Sequence, residues 1–176
     1  MKVNLREILI ILLIFLVVFT VVQLSLQSFR VDGPSMEPTF EDGQFLMINK
    51  VTYRFQSPHR GDVIVFWPPF HSDYPFIKRV VGLPGELVEI RNGKIFIDGV
   101  LYEEEPTMQV TPRTTSVLVP EDSYFVLGDN RDDSRDSSEG WTVPEGNIIG
   151  KTWVCYWPPS DWGLTPGYSY ELGTTA

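Results

Sequence analysis

The chain has 176 residues, a length that suits one domain with a short additional segment. Its net charge of −9 and pI near 4.6 exclude a typical nucleic-acid-binding protein, because phosphate recognition requires clustered lysine and arginine. Hydrophobic residues make up 43% of the sequence, and Cys155 is the single cysteine, so no disulfide forms within the chain. Composition therefore indicates a globular domain that depends on its apolar core.

An uncharged apolar run comes first, from Ile8 to Leu26. As a helix, this run of 19 residues spans about 28 Å, close to the roughly 30 Å of a bilayer core. A cleaved signal peptide is one alternative, but its apolar region is about 7–15 residues long and ends at a small-x-small site, which residues 27–31 do not offer. A buried core helix is the other, although a helix that is apolar on all sides suits lipid better. We therefore predict a transmembrane anchor over residues 8–28.

Basic residues are slightly enriched before this run, where Lys2 and Arg6 are opposed by Glu7, whereas Arg30 follows closely behind it. The positive-inside rule then predicts a single-pass cell-membrane protein with residues 1–7 in the cytoplasm. The rest divides into an extracytoplasmic β domain, residues 29–157, and a C-terminal tail, residues 158–176.

Short β-type runs broken by Gly, Pro, Asn and Asp follow residue 29. Tight turns are predicted at Arg91-Asn92-Gly93 and at Asp98-Gly99. We expect a long loop over 103–113, and an extended or frayed tail. The predicted fold is mainly β and antiparallel, after one transmembrane helix, with strands near 44–51, 62–67, 76–81, 87–90, 94–97, 115–119, 124–127 and 148–156.

Beyond the anchor, two side chains suggest catalysis. They are Ser35, in a Gly-Pro turn, and Lys78, in an apolar strand. A serine becomes a nucleophile only when a neighbouring group accepts its proton. A free lysine, with a pKa of about 10.4, is neutral in under one molecule in a thousand at pH 7, but burial beside Phe76 and Val80 would lower that pKa. Taken singly, Ser35 is equally a turn serine and Lys78 a snorkelling lysine. Only adjacency in space makes them a pair, and the sequence does not show it.

Four signatures follow the anchor in one order: Ser35-Met36-Glu37-Pro38-Thr39, then residues 61–66, 76–86 and 128–137. With the anchor, they resemble the type I (leader) signal peptidases, membrane-bound serine proteases with a Ser/Lys dyad. The resemblance extends to about Trp157. It implies a signal-peptidase-like β domain that cleaves signal peptides from exported preproteins after small residues at −1 and −3, without a cofactor or metal.

The resemblance also implies individual roles. Ser35 would be the nucleophile, with its backbone N–H in the oxyanion hole, and Lys78 the general base. Ser134 would hydrogen-bond the lysine amine, and Asp129 would pair with Arg79 beside it. The rate should then rise with pH, with a midpoint well below about 10.4.

Two positions depart from the family pattern. Gly33 stands where the family sometimes has a hydroxyl donor, so the oxyanion hole would depend on backbone groups. Asp136 would normally face a basic residue two positions later, which here is Ser138. We therefore expect that ion pair to be absent or rerouted to Arg131 or Arg135.

Substrate and membrane contacts are implied as well. The partners would be signal peptides of secreted preproteins, membrane lipid and a nearby secretion translocon. Apolar substrate pockets would hold an extended peptide at the sheet edge. Ordinary core packing is the alternative for each of the five residues that would line these pockets: Val31, Met36, Phe40, Phe76 and Ile77.

An aromatic loop precedes the Lys78 strand and consists of Trp67, Pro68, Pro69, Phe70 and Tyr74. Since aromatic rings favour the membrane interface, we expect this loop to enter the outer leaflet. The alternative is that its rings close the core.

Other chemistry has little support in the sequence. His59 and His71 are expected at the surface, and no Cys/His cluster indicates a zinc site. A soluble, self-cleaving repressor-type protease would also use a Ser/Lys pair, but the anchor and the acidic pI disfavour it. An anchored, non-enzymatic β domain is the third hypothesis.

Overall fold

The computed structural model describes residues 4–103, 113–166 and 171–172. Within these ranges the chain forms one α-helix, α1 (Leu5–Ser25), and two antiparallel sheets of eight and five strands. The predicted fold class, mainly antiparallel β after one N-terminal apolar helix, is confirmed. Four single-turn 3-10 helices connect strands of the described ranges.

Helix α1 is long and apolar enough to cross a bilayer. An 18-residue stretch of this 21-residue helix has a mean hydropathy of 3.0, and none of the helix is buried against the rest of the chain. The helix ends at Ser25, before the predicted end of the anchor at residue 28, because the chain pairs as a strand from Leu26 onward. The apolar run extends past Ser25 to Leu26, so composition alone did not reveal where the helix ends.

The first sheet carries the N-terminal strand at one edge. Its central strands β3 (Val63–Phe66) and β4 (Phe76–Gly82) are buried on both faces, which explains why they are mostly apolar. The strand order is β1 (Leu26–Arg30), β2 (Phe45–Asn49), β11 (Ile148–Trp157), β3 (Val63–Phe66), β4 (Phe76–Gly82), β9 (Ser123–Leu127) and β10 (Val143–Pro144), and β12 (Gly163–Leu164) pairs with β11.

The second sheet is built mainly from consecutive hairpins. Its order is β13 (Glu171–Leu172), β7 (Val100–Glu103), β6 (Lys94–Ile97), β5 (Leu87–Arg91) and β8 (Thr115–Leu118). Both predicted tight turns are present: Asn92 and Asp98 have φ of 50° and 51°, and the glycines that follow them are also in the left-handed region. Apolar residues of β5–β7 pack against Val81, Phe125 and Leu127 of the first sheet.

All eight predicted strands are present. The prediction missed β1, β7 and the two-residue strands β10, β12 and β13. Residues 104–112 of the predicted loop, and residues 167–170 and 173–176 of the tail, lie outside the described residues, whereas Gly163 and Leu164 of that tail pair with β11.

The register of the first sheet aligns five residues across five strands. Each member is paired with the next, and the row is Leu26, Asn49, Lys151, Ile64 and Lys78. Lys78 is therefore in the same row as the first residue after the apolar helix. Phe66 and Phe76, a pair two residues further along, lie about 7 Å beyond this row on the side from which the helix enters.

Candidate active site

Ser35 lies in the turn between β1 and β2, and three features fix the conformation of this turn. Gly33 has φ of +86°, a conformation that a residue with a side chain adopts only with strain. Met36 is fully buried in the core beneath the turn. The Ser35 carbonyl accepts a hydrogen bond from the backbone N–H of Asn130, at 3.1 Å. The serine therefore has a fixed position over the first sheet.

The side chains of Ser35 and Lys78 meet. The Nζ atom of Lys78 lies 2.6 Å from Oγ of Ser35 and 2.8 Å from the carbonyl oxygen of Ile77. This distance suits proton transfer between a hydroxyl and an amine. Residues 43 positions apart are thus joined, which the sequence did not show.

The environment of Lys78 favours its neutral form. The residue is only 4% exposed, its cross-strand partner is Ile64, and its Nζ lies 5.7 Å from the centre of the Phe76 ring. Burial lowers the pKa of Lys78 from 10.5 to about 8, against the opposing charges of Asp136 and Asp129. At that pKa, about a tenth of the molecules carry a neutral amine at pH 7.

Arg79, the next residue, is buried as a cation. Its Nε and Nη2 atoms donate to the two carboxylate oxygens of Asp129 at 2.8 and 2.5 Å, and both side chains are 1% exposed. Nη1 donates to the carbonyl of Gly61, and the Thr39 hydroxyl donates to Asp129 at 2.6 Å. This is the ion pair that the resemblance implies. Thr39 was quoted in the first signature but given no role there.

Ser134 lies beside the pair without the expected bond. Its Oγ is shielded from solvent and has no hydrogen-bond partner among the described residues, so the expected bond to the Lys78 amine is not formed in this structure. Gly128 allows the close approach: a Cβ there would lie 2.2 Å from Oγ of Ser134 and 2.5 Å from the Ser35 carbonyl oxygen. Packing rather than a hydrogen bond brings Ser134 to the site.

Asp136 is buried and surrounded by neutral donors. Its carboxylate accepts from the backbone N–H of Gly128 at 2.9 Å, and from the backbone N–H and hydroxyl of Ser138 at 3.1 and 2.7 Å. The ion pairs formed between described residues do not include Asp136, so of the two expected alternatives the pair is absent rather than rerouted to Arg131 or Arg135. Ser138, which replaces the basic residue, donates to the carboxylate itself.

The oxyanion donor expected at Ser35 is open. The backbone N–H of Ser35 donates to no acceptor within the described part of the chain. Gly33 offers no side-chain donor, and its own N–H donates to Asp42 at 2.9 Å. One backbone donor is therefore available beside the Ser35 hydroxyl.

A cleft of about 550 Å³ opens at the Ser35–Lys78 pair. The edge strand β1 forms one wall and the segment entering β4 forms the other, which shows that the first sheet curls round. Its lining residues are Gln27, Ser28, Phe29, Arg30, Asp32, Ser35, Tyr74, Pro75, Phe76, Ile77, Lys78 and Arg135.

The predicted pocket residues divide into two groups. Phe76 and Ile77 line the cleft. Val31, Met36 and Phe40 do not; they are buried in the hydrophobic core beneath the Ser35 turn. These three pack with Ile77 in one core cluster, and their place in substrate pockets stays a prediction.

The aromatic loop is also divided. Phe70 packs edge-on against Phe76 and Trp141, with the Arg135 guanidinium 4.1 Å above its ring, so Phe70 closes the core. Trp67 and Tyr74 are exposed. This loop follows Phe66, on the side of the sheet from which α1 enters.

The two histidines lie apart from the cleft. The side chain of His59 is exposed and lies 4.0 Å from Asp62. His71 is almost fully exposed and lies 4.0 Å from Asp73. Neither is among the residues that line the cleft.

Comparison with known proteins agrees with this architecture. Residues 5–157 match the signal peptidase, peptidase S26, family. The chain is 42% identical over 153 residues to a signal peptidase I of Leptolyngbya laminosa, covering 80% of this chain and 73% of the relative. It is 37% identical over 153 residues to a probable signal peptidase I-1 of Synechocystis, covering 82% and 78%.

A solved structure is similar as well. The crystal structure of a signal peptidase I from Enterococcus faecalis V583 is 32% identical, with a TM-score of 0.50, and the match covers 55% of this chain and 97% of that one. The resemblance inferred from the four signatures is therefore confirmed.

Proposed function

Because this chain belongs to the signal peptidase, peptidase S26, family, we propose that it cleaves signal peptides from preproteins with Ser35 as nucleophile and neutral Lys78 as general base. The single observation that carries this mechanism is the 2.6 Å contact between Nζ and Oγ at a lysine shielded from solvent. A nucleophile in contact with a neutral amine is the minimum that acyl transfer requires.

The chemistry follows from that contact. Ser35 Oγ attacks the scissile carbonyl carbon while its proton passes to Nζ of Lys78. The resulting ammonium returns the proton to the leaving amine, which releases the mature protein and leaves an acyl ester on Ser35. Lys78 next removes a proton from water, whose oxygen attacks the ester. The acyl–Oγ bond then breaks, the proton returns from Lys78 to Oγ of Ser35, and the signal peptide leaves with a free carboxylate.

The negative charge that develops on the carbonyl oxygen requires donors. The open N–H of Ser35 supplies one, and the absence of a side chain at Gly33 limits the site to backbone groups on that side. Donors fixed before the reaction stabilise such a charge strongly. Gly33 keeps the turn in the conformation that exposes this N–H.

Small residues at −1 and −3 of the substrate fit the cleft as it is built. Phe76 and Ile77 line its wall next to Lys78, and the core residues beneath the Ser35 turn leave little room for a large side chain. The outer edge of β1 has no neighbouring strand among the described residues, so an extended signal peptide gains main-chain hydrogen bonds there.

We further propose that the domain lies outside the cytoplasm, against the membrane and beside the secretion translocon that delivers its substrates. The row that joins Leu26 to Lys78 supports a site close to the end of the spanning helix. Signal peptides are themselves apolar segments that sit in the bilayer. A base near the lipid surface is therefore near their cleavage sites.

Cleavage is tested with the purified full chain in proteoliposomes and a fluorogenic signal-peptide substrate. Ser35→Ala should reduce turnover by at least about a thousandfold, whereas His59→Ala and His71→Ala should leave it near wild type. Turnover that survives in Ser35→Ala would eliminate the mechanism. Loss in either histidine variant would point to histidine catalysis, and absence of any cleavage would favour the non-enzymatic hypothesis.

Lipid contact is tested through the exposed tryptophans. Trp67, which is 45% exposed, follows the strand end on the membrane side, whereas Trp162, which is 69% exposed, lies beyond the distal end of β11. In proteoliposomes with brominated lipid, Trp67→Ser should remove part of the quenched fluorescence, and Trp162→Ser should not. Equal quenching in both variants would exclude the loop as a lipid contact.

A further inference from the structure

The segment 134–139 lies against the catalytic pair. Besides its internal Arg135–Glu139 ion pair, it is contacted by an arginine next to the other sheet. Arg113 stands just before β8. Its Nη1 donates to the carbonyl oxygen of Ser134 at 3.3 Å and to Oγ of Ser138 at 3.2 Å, and lies 3.4 Å from Glu139. One guanidinium thus contacts both ends of the segment.

A continuous chain of contacts leads from this arginine to the nucleophile. The Ser138 hydroxyl, which accepts from Arg113, donates to Asp136, and Asp136 accepts from the N–H of Gly128. Gly128 in turn packs on the carbonyl of Ser35, with no room for even a methyl group between them. A displacement of the segment would therefore reach Ser35 through rigid, buried contacts.

The carboxylates around Lys78 affect its pKa, so the position of the 134–139 segment matters for catalysis. Lys78 is faced by Asp136 and by Asp129, and Asp129 is already neutralised by Arg79. Asp136 has no cation paired with it in the described ranges, and of the two it raises the pKa of Lys78 more. Near the segment, Arg135 pairs with Glu139 and the buried Arg131 donates to the Gly128 carbonyl at 2.8 Å. Of these three arginines, Arg113 is the one that contacts the Ser138 hydroxyl bonded to Asp136.

We propose that Arg113 is a positioning residue for the reaction: through Ser138 it holds Asp136 and the 134–139 segment against Ser35, and it offsets the charge of Asp136. This inference rests on the proposed function. It also explains how the site accommodates a serine at position 138, because a cation from a distant strand takes the place of one at that position.

The test uses the full chain in proteoliposomes, with kcat and KM measured across pH. Arg113→Ala should lower kcat about tenfold and change KM less than twofold, since Arg113 does not line the cleft. The ascending limb of the pH profile should move upward, because the unscreened Asp136 charge favours the ammonium form of Lys78. Ser138→Arg in the Arg113→Ala background should recover most of the lost kcat. It should also return the ascending limb of the pH profile to its wild-type position.

Arg91→Ala is the matched control. Arg91 is 50% exposed with an ion pair of 3.5 Å to Glu89, and Arg113 is 47% exposed with one of 3.4 Å, but Arg91 lies in the β5 hairpin away from the cleft. Its variant should keep the wild-type kcat and pH profile.

Three outcomes would overturn the inference: Arg113→Ala kinetics equal to those of Arg91→Ala, a loss that Ser138→Arg does not recover, or a loss with an unmoved pH profile. Ser35→Ala is measured in parallel. If it stays active, the proposed function itself fails; if it is inactive while one of the three outcomes occurs, only the role of Arg113 fails.

Discussion

Lys78 and Arg79 are adjacent in β4, both are almost completely buried, and the strand directs them into opposite electrostatic settings. Arg79 has a carboxylate matched to its fork, together with a carbonyl and a hydroxyl, so it is buried as a cation. Among the described residues, Lys78 hydrogen-bonds only a hydroxyl and a carbonyl, next to an aromatic ring. Successive residues of a strand face opposite sides, so one strand supplies a structural cation and a base that loses its charge.

The chemical difference between the two side chains fits this division. A guanidinium does not deprotonate in proteins, whereas a lysine amine changes its pKa readily when it is buried. The paired cation also limits the influence of Asp129 on its neighbour. Placing a permanent cation at position 78, or removing the cation at position 79, should therefore reduce activity or stability far more than a substitution elsewhere in either sheet.

The largest expected effect comes from Lys78→Arg. A permanent cation at the base position has no lone pair for the Ser35 proton, so turnover should fall at least about a thousandfold. Lys151→Arg is the control: Lys151 lies in the same row of the sheet but pairs with Asp62 at 2.5 Å, and a charge is all that this contact needs. Cleavage rates of the two variants measure the contrast, and an active Lys78→Arg enzyme would refute it.

Arg79→Ala should affect stability next most strongly. Removing one member of a buried ion pair leaves the Asp129 charge unpaired, which costs about 3–5 kcal/mol of unfolding free energy. The double variant Arg79→Met with Asp129→Leu should be much closer to wild type. Denaturant unfolding in detergent gives both values, and a loss under about 1 kcal/mol for Arg79→Ala would mean that the pair is dispensable.

Gly128→Ala should separate catalysis from stability. The new Cβ would lie 2.5 Å from the carbonyl oxygen of Ser35, and the resulting displacement of the nucleophile should lower kcat about a hundredfold. Gly82→Ala creates a similar overlap, 2.4 Å from the Val88 side chain, but within the core between the sheets. It should destabilise by about 1–3 kcal/mol and leave kcat near wild type. Equal kcat losses would contradict this distinction.

The smallest effect is a shift in pH dependence. Asp136→Asn removes a charge that raises the pKa of Lys78, so that pKa should fall below about 8, while the amide nitrogen replaces one of two accepting oxygens and weakens the local hydrogen bonds. A base with a lower pKa is neutral at lower pH, and the ascending limb of kcat/KM should move down. An upward movement would show that Asp136 does not act on Lys78 by its charge.

Local sequence signals predicted the elements whose causes are local. Asn92 and Asp98 followed by glycine identified two hairpin turns, and apolar runs identified the buried strands. Strand β1 was missed because its pairing with β2 depends on residues 15 or more positions away, while its composition continues that of the helix. Strand β7 follows a correctly predicted turn, but its Val-Leu-Tyr-Glu sequence runs into two further glutamates, which favoured a loop.

The candidate site shows the same limit. Ser35 and Lys78 were chosen through motifs, and their contact depends on how the sheet curls. Val31, Met36 and Phe40 were expected in pockets; they pack in a core cluster, and their place in pockets stays a prediction. Arg113 carried no sequence signal, because its partners lie more than twenty residues away, in a different part of the fold.

The most direct test is the titration of the Lys78 amine itself. Lysine-selective NMR of the full chain in micelles, with the resonance assigned by its absence in Lys78→Arg, follows this one group across pH. The account predicts half-titration near pH 8, because burial lowers the pKa from 10.5. A midpoint near 10.5 would mean that the lysine is an ordinary cation at neutral pH, and Ser35 would then have no base.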